Sequence, residues 1–388
     1  MRDLTLGQKI NNSLAGIYIH IPFCKQACYY CDFHFSTNKS YMDKMVTAIC
    51  QEIAMQKDYL GGELLETIYF GGGTPSILES RHLEKILEAI QKNFSIDPKR
   101  EVTLEANPDD ITKGKLKFYR EVGINRFSIG IQSFNSGFLK YINRAHTADE
   151  AINSLRLVKE MGFENVSIDL IYGMPSDDHK IWQRDLEMAM SLKLPHISSY
   201  CLTIEKSTVF GNWLDAGKIK QVSDEFAAIQ FEMLLETLDK NGYEQYEISN
   251  FALPGYISKH NSNYWRHKKY LGVGPGAHSF NLENRHFNVS HNQQYMASIS
   301  TGKIPFSLEK LTVEEKINDY ILTSLRTKWG CDLSYIKEKY DYDLYSNNLV
   351  YLQDIIIKNY AHINENTLYL TNTGKLLADA VTSELLIV

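Results

Sequence analysis

The chain has 388 residues, a formal net charge of -6 and 44% hydrophobic residues. A chain of this length is expected to hold more than one domain, and its composition is typical of a folded globular protein. The modest negative charge does not indicate a nucleic-acid partner. No run of the sequence is long and apolar enough to cross a bilayer, and residues 1–7 lack an apolar signal region, so we expect a cytoplasmic protein.

Short β-rich runs alternate with amphipathic helical segments over the first two hundred residues. The predicted strands cover residues 16–21, 67–70, 102–106, 126–131, 166–171 and 196–202, and helices are predicted at 81–93, 148–161 and 179–192. This alternation predicts parallel strands joined by crossover helices. A complete eight-unit barrel needs about 250 residues. The fold class is therefore predicted as α/β, with an incomplete (βα)6 TIM-like barrel.

Three regions follow from the changes of pattern along the chain. Residues 1–205 hold the βα repeat. Residues 206–300 hold a predicted helix at 224–241 and an aromatic, His-, Asn- and Gly-rich segment, which we predict not to be a barrel repeat. Residues 301–388 are predicted to form a winged-helix-like domain with helices and a hairpin at 363–369. This last region has more acidic than basic residues, so a partner-protein or packing role is favoured over DNA binding.

Three cysteines lie within eight residues near the first predicted strand: Cys24, Cys28 and Cys31. Thiolates bind iron-sulfur clusters or zinc, and a four-iron cluster with three cysteine ligands leaves one iron open to a further ligand. His34 follows at a spacing that a Cys3His zinc site accepts, so zinc is an alternative. The remaining cysteines are scattered and do not suggest a disulfide framework.

Polar or glycine-rich residues follow the first five predicted strands. The second strand runs into the Gly-Gly-Gly-Thr-Pro sequence at 71–75, which lacks the Lys-Ser/Thr of a phosphate loop but allows close approach of the backbone to a ligand. Glu105 and Asp169 at neighbouring strand ends suit ribose hydroxyls or an ammonium group, although such carboxylates are also often solvated or helix-capping. The carboxyl ends of parallel strands share one face, which we call the strand-end rule, and we therefore expect a single pocket there. An amino-acid ligand could chelate the open iron.

Several motifs together resemble the radical S-adenosylmethionine (SAM) superfamily. They are the Tyr-Ile-His-Ile-Pro-Phe-Cys run at 18–24, the cysteine spacing, the 71–75 loop and the Ser-Ile-Gly-Ile-Gln-Ser-Phe run at 128–134. Within the superfamily, the chain is similar to the branch that holds oxygen-independent coproporphyrinogen III dehydrogenase and the haem chaperones, from about residue 16 to the C-terminus. The resemblance implies one [4Fe-4S] cluster on Cys24, Cys28 and Cys31, and SAM bound by Tyr18, Tyr30, Gly72, Gly73, Thr74, Glu105, Gln132, Arg144 and Asp169. It assigns no catalytic residue, and either reductive cleavage of SAM or a structural or redox role of the cluster is compatible with these residues.

Two features favour the haem chaperones within this branch. The dehydrogenases carry a further cysteine two residues after the third cluster ligand, where this chain has Phe33, and a longer N-terminal extension than the segment before Cys24. The His-Asn-Ser-Asn-Tyr-Trp sequence at 260–265 looks like the His-Asn-x-x-Tyr-Trp motif of the chaperones. Histidine is a common axial ligand of haem iron, and aromatic rings stack on porphyrins. His260, Tyr264 and Trp265 are therefore predicted to bind haem, and an aromatic packed loop with one hydrogen-bonded histidine is the alternative.

The resemblance thus predicts a haem chaperone that binds haem and transfers it to an unidentified acceptor protein. The alternatives are oxygen-independent coproporphyrinogen III dehydrogenase and a zinc-binding interaction module. The basic residues at 266–269 could meet haem propionates, and a solvated basic surface is the simpler interpretation. We expect no nucleic-acid partner and no membrane span, while peripheral contact with a membrane-bound acceptor is compatible with the sequence.

Overall fold

A computed structural model describes residues 14–387 of the chain. Residues 1–7, on which the expectation of no signal region depends, lie outside this part. No helix of the described part is long and apolar enough to span a membrane.

A row of parallel strands in chain order forms the centre of the fold. These strands are β1 (Leu14–Ile21), β2 (Leu64–Gly72), β3 (Ile96–Ala106), β4 (Arg126–Gln132), β5 (Val166–Tyr172) and β6 (His196–Cys201). Each one pairs in parallel with the next, which confirms the six predicted strands. β3 begins earlier than predicted. The residues at 97–100 are polar and show no apolar alternation, so the sequence pattern did not indicate that they belong to the strand.

Helices connect these strands and bury their apolar faces against the sheet. They are α1 (Met42–Met55), α2 (Ser80–Asn93), α3 (Lys113–Glu121), α4 (Ser136–Tyr141), α5 (Ala148–Glu160) and α6 (Lys180–Leu192). The sequence sets the start of α5 through a capping box, in which Thr147 and Glu150 satisfy each other's backbone N–H groups. Buried residues of α1, α2, α5 and α6 belong to the same hydrophobic core as the strands. The incomplete (βα)6 barrel is therefore confirmed.

Residues after the barrel extend the sheet at both edges. The elements are α7 (Val209–Asp215), α8 (Asp224–Lys240), β7 (Glu244–Glu247), β8 (Asn250–Ala252), α9 (Lys259–Trp265), β9 (Tyr270–Val273), β10 (His278–Phe280), β11 (Asn284–Asn288), α10 (Asn292–Ser300) and β12 (Phe306–Lys310). β9 joins β1 in parallel, and β8 joins β6 in antiparallel fashion, so that the sheet has twelve strands. The aromatic segment is thus part of the central sheet, although it does not repeat the βα unit.

The last part of the chain has its own hydrophobic core. Its elements are α11 (Val313–Ser324), β13 (Cys331–Asp332), α12 (Leu333–Tyr340), α13 (Leu344–Asn347), α14 (Leu349–Ile357), β14 (Ala361–Asn364), β15 (Thr367–Leu370), α15 (Asn372–Leu376) and α16 (Ala378–Ser383). The predicted hairpin is confirmed: β14 pairs with β15, and the turn places Glu365 at a φ of 54°. Helices with a small antiparallel sheet give the predicted winged-helix-like shape. The three domain boundaries remain predictions.

Candidate functional site

A pocket at the carboxyl ends of the parallel strands gathers almost all the residues predicted to bind the cluster and SAM. Its lining includes Cys24, Cys28, Tyr30, Cys31, Gly72, Gly73, Thr74, Glu105, Gln132, Arg144 and Asp169. We call it the cysteine pocket. Tyr18 is the one predicted member outside this lining, because its ring packs against Tyr69 with ring centroids 5.9 Å apart. The strand-end rule therefore brought distant residues together correctly.

The glycine loop is tied directly to the cysteine loop. The Gly73 amide donates to the carbonyl of Ile21 at 2.9 Å, and the Thr74 amide donates to the carbonyl of Phe23 at 2.7 Å. A Cβ atom at Gly73 would lie 2.6 Å from the Phe23 carbonyl oxygen, closer than side chains approach. Glycine is thus required here so that backbone can meet backbone. The Thr74 hydroxyl lies 3.6 Å from the Cys24 sulfur as a result.

Arg144 places a buried positive charge beside the cysteines. Its Nη1 lies 3.5 Å from the Cys28 sulfur, and its Nη2 donates to Asn107 Oδ1 at 2.7 Å and to the Gly130 carbonyl at 2.8 Å. Its Nε is buried and has no hydrogen-bond partner. A buried guanidinium with a spare donor suits a carboxylate ligand, which a planar fork can bind with two hydrogen bonds.

Two carboxyl groups line the same pocket from β3 and β5. Glu105 accepts a hydrogen bond from the Tyr69 hydroxyl at 2.8 Å, and burial raises the pKa of its carboxyl to about 7. Asp169 accepts from the Ser128 hydroxyl at 3.1 Å, and burial raises its pKa to about 6. Between them, Gln132 at the end of β4 has a φ of 67°, a left-handed conformation that is costly outside glycine and is concentrated at functional sites.

The three cysteines of the pocket are free thiols. Burial raises the pKa of Cys24 and of Cys31, so without a metal these groups are neutral. Among residues 14–387, no three His, Cys, Asp or Glu side chains converge on one point where a metal ion would bind. His34, the fourth ligand of the zinc alternative, is instead hydrogen-bonded through Nε2 to Asn292 Oδ1 at 2.7 Å. In a four-iron cluster each thiolate binds a different iron, so three cysteine ligands need not converge on one metal ion.

A second cavity, of about 760 Å³, lies between the sheet and the C-terminal helices. Its volume is within the range of about 300–1,000 Å³ that is usual for small-molecule sites. Tyr264 and Trp265 of α9 contribute to its wall. Further lining residues are Tyr172, Tyr200, Phe231, Glu247, Ile248, Ser249, Asn250, Asn261, Arg326, Lys375, Leu376, Leu377, Ala378, Asp379 and Ala380. We call it the aromatic cavity.

His260 lies behind this wall and does not line the cavity. Its Nδ1 is 2.7 Å from the Thr67 hydroxyl oxygen, and its Nε2 is 2.8 Å from the Tyr264 hydroxyl oxygen. Its ring stacks on Tyr69 at a centroid distance of 4.8 Å, and burial lowers its pKa to about 3. The structure therefore separates the three residues that the motif grouped. Tyr264 and Trp265 face the cavity, whereas His260 matches the alternative of a packed, hydrogen-bonded histidine.

The basic residues at 266–269 are engaged with other parts of the fold. The guanidinium carbon of Arg266 lies 4.0 Å from the ring centroid of Trp329. Lys268 and Lys269 form ion pairs with glutamates in and just before β2, and His267 is hydrogen-bonded to a threonine of α11. None of the four lines the aromatic cavity. They do not provide the propionate contacts considered from the sequence.

Comparison with known proteins shows which family the chain belongs to. A family model described as the Radical SAM superfamily matches residues 18–189. The chain is 36% identical to the "Heme chaperone HemW" of Bacillus subtilis (strain 168), over 95% of this chain and 98% of that protein. The chain belongs to the HemW family. A second HemW, from Mycobacterium tuberculosis (strain ATCC 25618 / H37Rv), is 30% identical over 96% of this chain and 94% of its own length.

A solved structure shares the fold of this HemW-family chain over nearly its whole length. It is the coproporphyrinogen III oxidase HemN from Escherichia coli, described as a radical SAM enzyme, with a TM-score of 0.84 and 22% sequence identity. The likeness covers 97% of this chain and 92% of that one. Membership of the radical SAM superfamily implies SAM and a [4Fe-4S] cluster for this HemW-family chain.

Sequence reasoning missed the residues that hold the predicted ligands in place. Asn107 and Gly130 position Arg144, and Ser128 positions Asp169. All three line the cysteine pocket of this HemW-family chain. Asn107 directly follows β3, so the strand-end rule could have found it, whereas Ser128 lies near the start of β4 and carried no such signal.

Proposed function

We propose that this HemW-family chain is a haem chaperone, which binds haem in the aromatic cavity and passes it to an acceptor protein. The aromatic cavity carries this proposal, because Tyr264 and Trp265 of the chaperone-like motif line a space of small-molecule size. Relatives that match nearly the whole chain carry the name haem chaperone. Haem is the cargo in this proposal and is not a resident cofactor.

The chemistry of the cavity suits a flat, largely apolar ligand. Aromatic side chains from four elements meet there: Tyr172 of β5, Tyr200 of β6, Phe231 of α8, and the α9 pair Tyr264 and Trp265. Tyr200 is 46% exposed as a residue, although it belongs to a strand of the central sheet. Aromatic rings gain contact area and stacking energy against a planar ligand, at little cost in conformational entropy.

The cysteine pocket supports a role in holding the cluster and SAM. In this proposal Cys24, Cys28 and Cys31 bind three irons of one [4Fe-4S] cluster, and Arg144 binds the carboxylate of SAM through its guanidinium. Glu105, Gln132 and Asp169 accept or donate hydrogen bonds to the ribose and the ammonium group, while the glycine loop provides backbone contact through Gly72, Gly73 and Thr74. Tyr30 lines the pocket, and Tyr18 supports it from behind. Bound in this way, the cluster supplies redox chemistry to SAM.

The acceptor is a protein that takes haem from this cavity, in the cytoplasm or at a membrane surface. The acidic C-terminal region makes a nucleic-acid partner unfavourable. If the acceptor binds near the C-terminal helices, the open side of the cavity lies beside the protein that receives the haem.

An anaerobic haem titration of the cluster-loaded protein tests the proposal. A Soret band that saturates at one haem per chain is the expected result, and absence of saturable binding would overturn it. Incubation of the same preparation with coproporphyrinogen III and a reductant tests the dehydrogenase alternative. Protoporphyrinogen formation would establish that alternative. Zinc in place of iron and acid-labile sulfide would instead establish the zinc-binding module.

A further inference from the structure

Two cations from the C-terminal region line the aromatic cavity. Arg326 follows α11, and Lys375 lies in α15. The aromatic part of the same lining comes from strands and helices that precede this region, such as β6 and α9. Apolar aromatic surface and positive charge therefore reach the cavity from different parts of the fold. Neither cation belongs to a motif that the sequence revealed.

Arg326 has hydrogen-bonding capacity that the protein does not use fully. Its Nη2 donates to the carboxylate of Asp379, whose side chain is 84% exposed. Its Nε is buried and has no partner. An ion pair with an exposed partner contributes little free energy, so a ligand carboxylate can replace Asp379 at small cost. The guanidinium can thus receive an anion from the cavity through the nitrogen that now contacts Asp379.

Lys375 has a neutral partner only. Its ammonium donates to the amide oxygen of Gln245 at 2.8 Å, and among residues 14–387 no carboxylate forms an ion pair with it. Burial lowers the pKa of Lys375, because its partly desolvated charge is not compensated. A ligand carboxylate at this position would supply the missing negative charge.

Two acidic residues also line the cavity, and both lie near Arg326: Asp379 forms an ion pair with it, and the charge of Glu247 acts on it. Glu247 is buried and accepts from the Ser249 amide at 3.1 Å and from the Asn250 side-chain amide. Burial raises the pKa of Glu247, which favours its neutral form. Asp379 points largely into solvent. Lys375 therefore has no ion-pair partner among residues 14–387, and the one carboxylate paired with Arg326 is exposed, next to the aromatic surface of the cavity.

We propose that Arg326 and Lys375 bind the two carboxylates of an amphipathic, planar dianion, so that the C-terminal region forms the anion-binding side of the aromatic cavity. The inference rests on the proposed function, in which the planar ligand is haem and the carboxylates are its propionates. Charge-assisted hydrogen bonds to the two carboxylates, which project from one edge of the ring, then fix the orientation of the ring against the aromatic side chains. In this proposal Arg326 and Lys375 bind the propionates, and the basic residues at 266–269 do not.

Comparison of haem with haem dimethyl ester tests whether Arg326 and Lys375 bind the carboxylates, because the ester keeps the ring and removes both negative charges. The wild-type protein, Arg326→Met, Lys375→Met and the double variant are titrated with each ligand under identical conditions. Lys337→Met, which removes an exposed cation of the same region, is the matched control. Arg326→Lys and Lys375→Arg keep the charges. Affinity for the ester and the melting temperature report whether each variant is folded.

The expected result is that each Met variant weakens haem binding by roughly tenfold and leaves binding of the ester unchanged. The charge-keeping variants should recover part of the loss, and Lys337→Met should bind like the wild type. Equal loss of haem and ester binding, or no loss of haem binding, would overturn the pair's role while leaving the proposed function in place. Failure of the wild type to bind either ligand would instead overturn the proposed function itself.

Discussion

His260 and Tyr264 are joined by a hydrogen bond of 2.8 Å between the Nε2 atom and the phenol oxygen, one turn apart on α9. The other ring nitrogen of His260 is held by Thr67, so the imidazole has no free position for an iron atom. Tyr264 lines the aromatic cavity, whereas His260 does not. His260 therefore acts as a positioning residue for Tyr264 in this conformation.

Substitution of His260 should affect stability and haem binding through Tyr264. His260→Ala leaves a buried cavity and two unpaired hydroxyl groups, so we expect a loss of about 2–4 kcal/mol in the free energy of unfolding. Tyr264→Phe removes only the hydroxyl and should cost about 1 kcal/mol. Denaturant unfolding of both variants beside the wild type measures these values.

The pH dependence of haem binding separates a positioning histidine from an axial ligand. Because the pKa of His260 is lowered to about 3, the imidazole stays neutral between pH 5 and 8 and its titration should not change the affinity. A ligand histidine with an ordinary pKa would instead lose affinity below about pH 6.5. A drop of that kind in the wild type that is absent in His260→Ala would show that His260 binds the iron.

The cysteine pocket should take up iron only when all three of its thiols are present. Cys24→Ser, Cys28→Ser and Cys31→Ser each remove one ligand, so iron and acid-labile sulfide per chain should fall to background after anaerobic reconstitution. Cys50→Ser and Cys201→Ser lie outside the pocket and are matched controls. Because thiols with raised pKa must release protons on binding, loading should increase as the pH rises. A full iron content in any of the three pocket variants would contradict this assignment.

SAM affinity should increase as the pH rises from 5 to 8. Burial raises the pKa of Glu105 to about 7 and that of Asp169 to about 6, and the ionised forms accept hydrogen bonds from hydroxyl and ammonium groups more strongly. Asp169→Asn should therefore bind SAM roughly tenfold more weakly at pH 8 and show a flatter pH profile. Equilibrium dialysis of cluster-loaded protein measures this. The exposed variant Asp149→Asn should retain the wild-type profile, and a wild-type profile in Asp169→Asn would remove Asp169 from the site.

Glu52 should make the fold less stable as the pH rises towards 7. Its carboxyl is buried in α1 and accepts hydrogen bonds from the Gly274 amide and the side chains of Asn288 and Tyr295. Burial raises its pKa from about 4.5 to about 7, so between these values the unfolded chain loses a proton that the folded protein keeps. The free energy of unfolding should fall across this window by about 2–3 kcal/mol.

Glu52→Gln should remove this dependence, because the amide stays neutral at every pH. Between pH 4.5 and 8, the free energy of unfolding should therefore change less with pH in Glu52→Gln than in the wild type. Glu164→Gln, a substitution on the exposed surface, should retain the wild-type slope. If the free energy of unfolding depends on pH equally in Glu52→Gln and the wild type, the pH dependence belongs to other groups.

Local sequence pattern predicted the barrel and most of the cysteine pocket for a physical reason. Each parallel strand buries its own apolar residues, and the strand-end rule then places Glu105, Gln132 and Asp169 at one face. The pairing of β9 with β1 was not predictable in this way, because it joins segments about 250 residues apart. Arg326 and Lys375 were missed for the same reason, since only the packing of the C-terminal helices brings them to α9.

Haem titration of Trp265→Ala against Trp213→Ala tests most directly whether the aromatic cavity is the haem site. Trp265 lines that cavity, whereas Trp213 packs on Tyr29 at a centroid distance of 4.9 Å outside both pockets. Loss of the stacking surface in Trp265→Ala should weaken haem binding by about tenfold or more, with the Trp213→Ala protein close to the wild type. Equal haem affinity in Trp265→Ala and the wild type would contradict a haem site in this cavity.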